Sequence, residues 1–372
     1  MNSHERIDAA VALEIPDRVP LAPLLDHWAA TYCGITNAVL MTDGEKRIQA
    51  VIKTATDFHW DMTYVADTAI PGLLKLGVPA KLKVPGEDLP ENSTHQFEEK
   101  AYMNVEDYDV LISEGLIPFL TTVMSRIYPD MTIESALIDL AAVSAEITSH
   151  LNRVKEAGMV PATGFMLLGT TFEFLSYARG ITNAFMDIRR YPEKIRAAAK
   201  RYREDILPLA LDAVRQNGVK RIFIGLSRSS PTFIPPKVFA DLCLPDLEFF
   251  THRIIEEGIT PLFHCDTDWT KCLHFFARFP RARCIMELDS FTDIFNAKKV
   301  LGDTMVIKGD VPSTLTAGDS KQEVLDYCKR LIEEIGKGGG FILSTGCSIP
   351  NNAKPENISA MTEAIEEWGY YS

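Results

Sequence analysis

The run Ile259-Thr-Pro-Leu-Phe-His-Cys265 is apolar on both of its alternating faces until its polar end. A strand with one wet face would alternate apolar and polar residues, so this run belongs to a sheet covered on both sides. Working outward, seven more runs of the same kind appear: Val19–Leu24, Asp61–Ala66, Val160–Leu168, Arg221–Leu226, Arg283–Leu288, Met305–Lys308 and Phe341–Ser344. Helical patterns separate them. In Asp319–Gly336, Val324, Leu325, Cys328, Leu331, Ile332 and Ile335 share one face, and in Pro355–Trp368, Ile358, Met361, Ile365 and Trp368 do. Alternation of strand and helix fits either an open doubly wound sheet or a barrel, and the count of eight selects an α/β (β/α)8 TIM barrel.

The interval from Asp67 to Val160 is too long for one crossover. It predicts a hairpin and helical insertion after the second strand, over about 68–158, within a single barrel domain spanning 1–372. Leu76–Val105 carries Lys81-Leu-Lys-Val-Pro-Gly and Phe97-Glu-Glu-Lys-Ala-Tyr and is expected to form a hairpin overhanging the barrel mouth. Gly338-Gly-Gly340 follows a helix and precedes a strand, the reverse of a phosphate loop, so it reads as a helix cap turning into the last strand.

A chain of 372 residues, 46% hydrophobic and 24% charged, has ample material for a core, which excludes disorder over most of its length. Its net charge of −13 opposes general binding to nucleic acid or anionic membranes, because phosphate contacts need clustered cations. The one dense basic cluster, Arg278-Phe-Pro-Arg-Ala-Arg283, is short and leads into a strand. No apolar run reaches the ~18 residues of a membrane span. The opening MNSHERIDAA lacks an apolar signal core. Seven scattered cysteines without a C-x-x-C pair predict reduced thiols in the cytoplasm.

In a barrel of this type functional groups gather at the carboxyl ends of the strands. Those ends carry Asp26 and His27, Asp67, Ser227 and Arg228, then His264, Cys265, Asp266 and Asp268, then Glu287 and Asp289, Lys308 and Asp310, and Cys347. Strand alternation puts His264 and Asp266 on one face and Cys265 on the other. With Cys347 they make a His/Asp/Cys set that suits a catalytic zinc with one open position, and the thiolate disfavours magnesium or calcium. The same residues could instead hydrogen-bond one another. Glu287 fits a partner that orients His264 better than a direct ligand. His27 reads equally as a packing residue or a substrate contact. Arg228 reads as an anion contact or as half of a salt bridge. Cys33, Cys243, Cys272, Cys284 and Cys328 read as core thiols.

These stretches carry a resemblance. Ile15-Pro-Asp-Arg-Val-Pro20, Phe239-Ala-Asp-Leu-Cys-Leu-Pro245, Gly258–His264, Gly309-Asp-Val-Pro312, Gly340-Phe-Ile-Leu-Ser-Thr-Gly-Cys347-Ser-Ile-Pro350 and Pro355-Glu-Asn357 together resemble the uroporphyrinogen decarboxylase superfamily over nearly the whole chain. The resemblance implies a (β/α)8 barrel and one of two activities. Decarboxylases of the family hold porphyrinogen carboxylates with an arginine-rich segment after the first strand. Here that place reads Pro23-Leu-Leu-Asp-His-Trp-Ala-Ala, without arginine, although Asp67 matches the decarboxylase aspartate.

The other branch comprises corrinoid-dependent methyltransferases, whose zinc is held by His-x-Cys on one strand and a distant Cys after Gly. His264 and Cys347 match two ligands, and Asp266 stands where that branch has its second Cys. The resemblance therefore implies Zn2+ on His264, Asp266 and Cys347, and a methyl group moved between a small molecule and a corrinoid (cobalamin). A partner protein must carry the corrinoid, because no Asp-x-His-x-x-Gly loop is present. In this reading Asp67 and Glu287 are the candidate catalytic acids, and His27 and Arg228 the candidate substrate contacts. A carboxylate in place of a thiolate leaves a more Lewis-acidic metal, suited to an oxygen-linked methyl donor. A lyase using Asp67 and a barrel without catalysis are the alternatives, and a homodimer is left open.

Overall fold

The computed structural model describes residues 1–371 and contains ten short strands. They are β1 (Met62–Thr63), β2 (Leu82–Lys83), β3 (Gln96–Phe97), β4 (Val160–Pro161), β5 (Phe165–Leu167), β6 (Arg221–Leu226), β7 (Thr260–Cys265), β8 (Ile285–Leu288), β9 (Val306–Val311) and β10 (Phe341–Thr345). One parallel ladder runs β10-β9-β8-β7-β6-β5. β4 and β5 are two halves of one bent run, β4 pairing with β1 and β5 with β6. The bend turns at Gly164, where a Cβ would meet the Val219 carbonyl oxygen at 2.3 Å, so only glycine fits.

Residues 19–24 close the ring. Asp61 N–H donates to Leu21 O at 2.8 Å on one side. On the other, Leu21 and Leu24 bridge in parallel to Leu343 and Ser348. Eight staves in a circle, with helices outside, make a (β/α)8 barrel. Alternation along the strands fills both sides of its wall. Ala22, Met62, Phe223, Leu262, Ile285, Val306 and Ile342 pack together inside the barrel. Ile224, Phe263, Cys265, Met286, Ile307 and Leu343 join the larger core beneath the helices.

Three boundaries differ from the sequence reading. The second run shrinks to Met62–Thr63, because Ala66 takes a left-handed φ of 53° and a 3-10 turn follows at Asp67–Ala69. The seventh lengthens to Val311, since Gly309 and Asp310 are buried and still pair with Leu343 and Ser344. Polar character marked an end where the chain continues inside the wall. The helical pattern of 319–336 divides into Lys321–Leu331, capped by Ser320, and a π-turn at Ile332–Gly336.

Between β1 and β4 lie the helix Pro71–Gly77, the antiparallel pair β2–β3, and the helices Asp107–Ser113, Leu116–Ile127 and Ile133–Glu156. The first two residues of the expected hairpin segment therefore finish a helix. Gly338, Gly339 and Gly340 all have positive φ and turn the chain into β10. Gly339 also lies close to Glu14, whose carbonyl oxygen would stand 2.7 Å from an added Cβ. All seven cysteines are free. Among the described residues no helix is long and apolar enough to cross a membrane.

Candidate metal centre and cavity

His264, near the end of β7, and Cys347, two residues beyond β10, converge across the barrel mouth. Cys347 Sγ stands 3.6 Å from His264 Nε2, and Asp266 Oδ1 stands 3.2 Å from the same nitrogen. One ligand atom from each of the three residues lies within 4.8 Å of the others. Cys265 points the other way, buried in the outer core with its Sγ 3.4 Å from Met286 Sδ. Nitrogen, oxygen and sulfur donors at this spacing, half sheltered from water, fit a divalent zinc with an open position. Burial opposes charge on His264, but Asp266 and Cys347 outweigh it and hold the imidazole well above its usual range.

Strand register stacks a second polar layer beneath the triad. His264 pairs with Glu287, Glu287 with Lys308, and Lys308 with Ile342. Glu287 Oε2 lies 3.3 Å from His264 Nδ1 and accepts from the Tyr64 hydroxyl at 2.7 Å. Glu287 Oε1 accepts from Lys308 Nζ, which also donates to Ser344 Oγ at 3.1 Å. Burial opposes ionisation of Glu287, yet Lys308 and His264 prevail and bring its carboxyl down to about 2. The His264 ring lies over Phe223 with centroids 5.3 Å apart, which fixes its plane from the other side.

The triad opens into a cavity of about 290 Å³ whose walls include Tyr64, Phe97, Tyr177, Phe223 and several leucines. Asp67 lines it too, and burial pushes its carboxyl up to about 7, with Asp26 adding to the effect. No arginine or lysine is among the lining residues.

His27 and Arg228 do not line the cavity. His27 is buried with Nε2 3.1 Å from His95 Nδ1. Arg228 pairs with Glu99 at 2.8 Å and lies 4.0 Å over the Tyr177 ring. Both hold the insertion. His95, Phe97 and Glu99 alternate along one extended segment and reach three different strand ends. His95 meets His27 after residues 19–24, Phe97 meets Tyr177 edge-on beyond β5, and Glu99 meets Arg228 beyond β6. The segment is a strap, and His95 and Phe97 are part of the cavity wall.

The sequence reading does not single out Tyr64, His95, Phe97 or Glu173. The spacing of 95, 97 and 99 is the signal for the strap. Glu173 sits among apolar residues in the helix Thr171–Arg179, and an acid in such a face needs partners. Its carboxylate accepts from the backbone N–H groups and hydroxyls of Ser227 and Ser229 and from Arg228 N–H. It thereby fixes the loop after β6.

Comparison with known proteins agrees with this architecture. A methyltransferase from Methanosarcina mazei superposes over 99% of both chains with a TM-score of 0.73 at 15% identity, a likeness of fold. Uroporphyrinogen decarboxylase of Methylococcus capsulatus (strain ATCC 33009 / NCIMB 11132 / Bath) is 31% identical over 83 residues, 22% of this chain and 23% of that protein. Uroporphyrinogen decarboxylase of Dichelobacter nodosus (strain VCS1703A) is 31% identical over 71 residues, 19% of this chain and 20% of that one. The chain thus aligns with less than a quarter of the length of these relatives. The profile described as Uroporphyrinogen decarboxylase (URO-D) matches residues 138–368. That match spans more than half of the sequence, and the chain belongs to the uroporphyrinogen decarboxylase family.

Proposed function

We propose that this protein is a zinc-dependent methyltransferase that moves a methyl group between a small O-methyl donor and a corrinoid (cobalamin) carried by a partner protein. The observation that carries the reading is the convergence of His264, Asp266 and Cys347 on one cavity wall while Cys265 is turned away. Likeness of fold to a methyltransferase supports it. When bound, zinc would supply Lewis acidity toward the departing oxygen.

The chain's own residues do the rest. Glu287 orients His264, and Asp266 adds a harder donor than a second thiolate. Phe97, Tyr177 and Phe223 exclude water from the donor. Asp67, pushed up to about 7, holds a proton near neutral pH and can offer it to a polar group of the substrate. A cavity wall without arginine or lysine does not suit a porphyrinogen bearing many carboxylates, which weighs against a lyase built on Asp67. Free thiols throughout suit a reducing cytoplasm.

The test joins metal analysis to turnover. Purified protein should hold about one zinc per chain. With cob(I)alamin and a methyl ether or methanol it should yield methylated corrinoid and the demethylated oxygen compound. Zinc-loaded protein that methylates no corrinoid from any oxygen-linked donor would refute the reading.

A further inference from the structure

Ser227 stands where the loop after β6 leaves the barrel wall. Gly225 pairs with His264 and Leu226 with Cys265, and Asp266 N–H donates to Leu226 O at 2.9 Å. The next step in that register puts Ser227 level with Asp266 on the neighbouring strand, and both line the cavity. The Ser227 hydroxyl is already committed as a donor. It donates to Glu173 Oε1 at 2.8 Å, an oxygen that also accepts from the backbone N–H groups of Ser227 and Arg228. Glu173 Oε2 accepts from the Ser229 N–H and hydroxyl, and the whole carboxylate is buried. A serine hydroxyl has one proton and two lone pairs, so Ser227 presents only lone pairs to the cavity.

We infer that Ser227 is a specificity-determining residue, accepting a hydrogen bond from a hydroxyl that the methyl donor carries next to its ether oxygen. The donor is accordingly an uncharged, hydroxyl-bearing ring compound. The inference rests on the methyltransferase reading of the cavity. Adjacency of Ser227 to Asp266 sets the adjacency of the two substrate oxygens. The chamber of about 290 Å³ lies at the small end of ligand sites, and Phe97, Tyr177 and Phe223 give it faces that suit one ring. Asp67, Glu173 and Asp266 line it without any arginine or lysine, so a carboxylate on the ring would be buried unpaired. A ring that lacks the hydroxyl leaves the Ser227 lone pairs without a partner in a largely apolar chamber.

The test compares three ligands by isothermal titration calorimetry: guaiacol, anisole, which lacks the hydroxyl, and ortho-methoxybenzoate, which replaces it with a carboxylate. The proteins are the parent, Ser227→Ala and Ser229→Ala, at equal zinc content, with melting curves to establish folding. The parent should bind guaiacol about tenfold more tightly than anisole, close to the worth of one neutral hydrogen bond. It should bind ortho-methoxybenzoate more weakly than either. Ser227→Ala should abolish the preference for guaiacol. Ser229→Ala removes a bond to the same carboxylate from a side chain outside the cavity wall, and should keep it.

Equal affinity of the parent for guaiacol and anisole, or binding of neither, overturns the inference whether or not the variants fold. So does a preference that survives Ser227→Ala. A preference that Ser229→Ala abolishes as well overturns it too, since the loop and not the hydroxyl would then set it. Ortho-methoxybenzoate bound as tightly as guaiacol overturns the assigned class. The affinities need neither corrinoid nor turnover. Guaiacol bound through Ser227 but never demethylated would count against the methyltransferase reading alone, and methyl transfer from anisole as fast as from guaiacol against this inference alone.

Discussion

Cys347 Sγ and His264 Nε2 stand 3.6 Å apart although 83 positions separate them in sequence. Their strands, β7 and β10, are separated in the ladder by β8 and β9, so the curvature of the barrel wall brings their ends together and the triad depends on that curvature as much as on its ligands. Replacing Cys347 by Ala should remove most of the zinc and any methyl transfer with it, while Cys265→Ala should leave the metal content unchanged. Asp266→Cys should keep zinc but lose activity on an oxygen-linked donor, as a second thiolate softens the site. Metal stoichiometry and turnover of these three variants, with Asp266→Ala beside them, check this. If Cys265→Ala empties the site and Asp266→Ala does not, the ligand assignment is wrong.

Zinc affinity should fall as the medium is acidified. Burial works against charge on His264, but Asp266 and Cys347 hold its imidazole well above the usual range, so a proton competes with metal for the site at neutral pH. Each proton displaced makes the apparent affinity change about tenfold per pH unit. Calorimetry in buffers of different ionisation enthalpy should show proton release on zinc binding. Binding that is flat between about pH 6 and pH 8 would contradict the coupling.

Asp67 gives a stability prediction with a definite sign. Burial raises its carboxyl from 3.8 to about 7, so the folded chain keeps a proton that the unfolded chain has already released. This contribution is complete below the unfolded value and is lost as pH rises toward about 7. Asp67→Asn lacks that loss. The metal-free variant should therefore gain on the parent between about pH 4 and pH 8, with about 4 kcal/mol as the upper bound. Denaturant titrations at both ends of the window measure it; a gap that shrinks with rising pH would reverse the assignment.

Proteolysis and hydrogen exchange test the strap. Glu99→Gln weakens its contact with Arg228 and removes one oxygen that accepts from the Ile181 N–H or from the guanidinium. Cleavage in the turn between β2 and β3 should then quicken several-fold, ahead of any cut in the barrel. Hydrogen exchange at residues 95–99 should rise while β6–β10 stay protected. A uniform increase across the barrel would point to global destabilisation instead.

Much of this architecture is legible because strands buried on both faces leave long apolar runs, and all eight lie within a few residues of their expected places. The pairing of His264 with Asp266, and the outward turn of Cys265, follow from the two-residue period alone. Lys308 reads as a strand end because it is charged, yet it sits mid-strand inside the wall. Its stabilising partners Glu287 and Ser344 come from neighbouring strands, and such pairing depends on register that local pattern does not carry. His95 and Phe97 are hidden for a related reason. β3 is two residues long, and what holds it are contacts to three distant parts of the ring.

The strap touches the ends of the first, third and fourth staves, whereas the triad is drawn from the fifth and eighth. The insertion thus covers one arc of the rim, whereas Phe291, beyond β8, stands exposed. A small molecule occupying the 290 Å³ chamber would lie between the strap's His95 and Phe97 on one side and the His264, Asp266 and Cys347 side chains on the other.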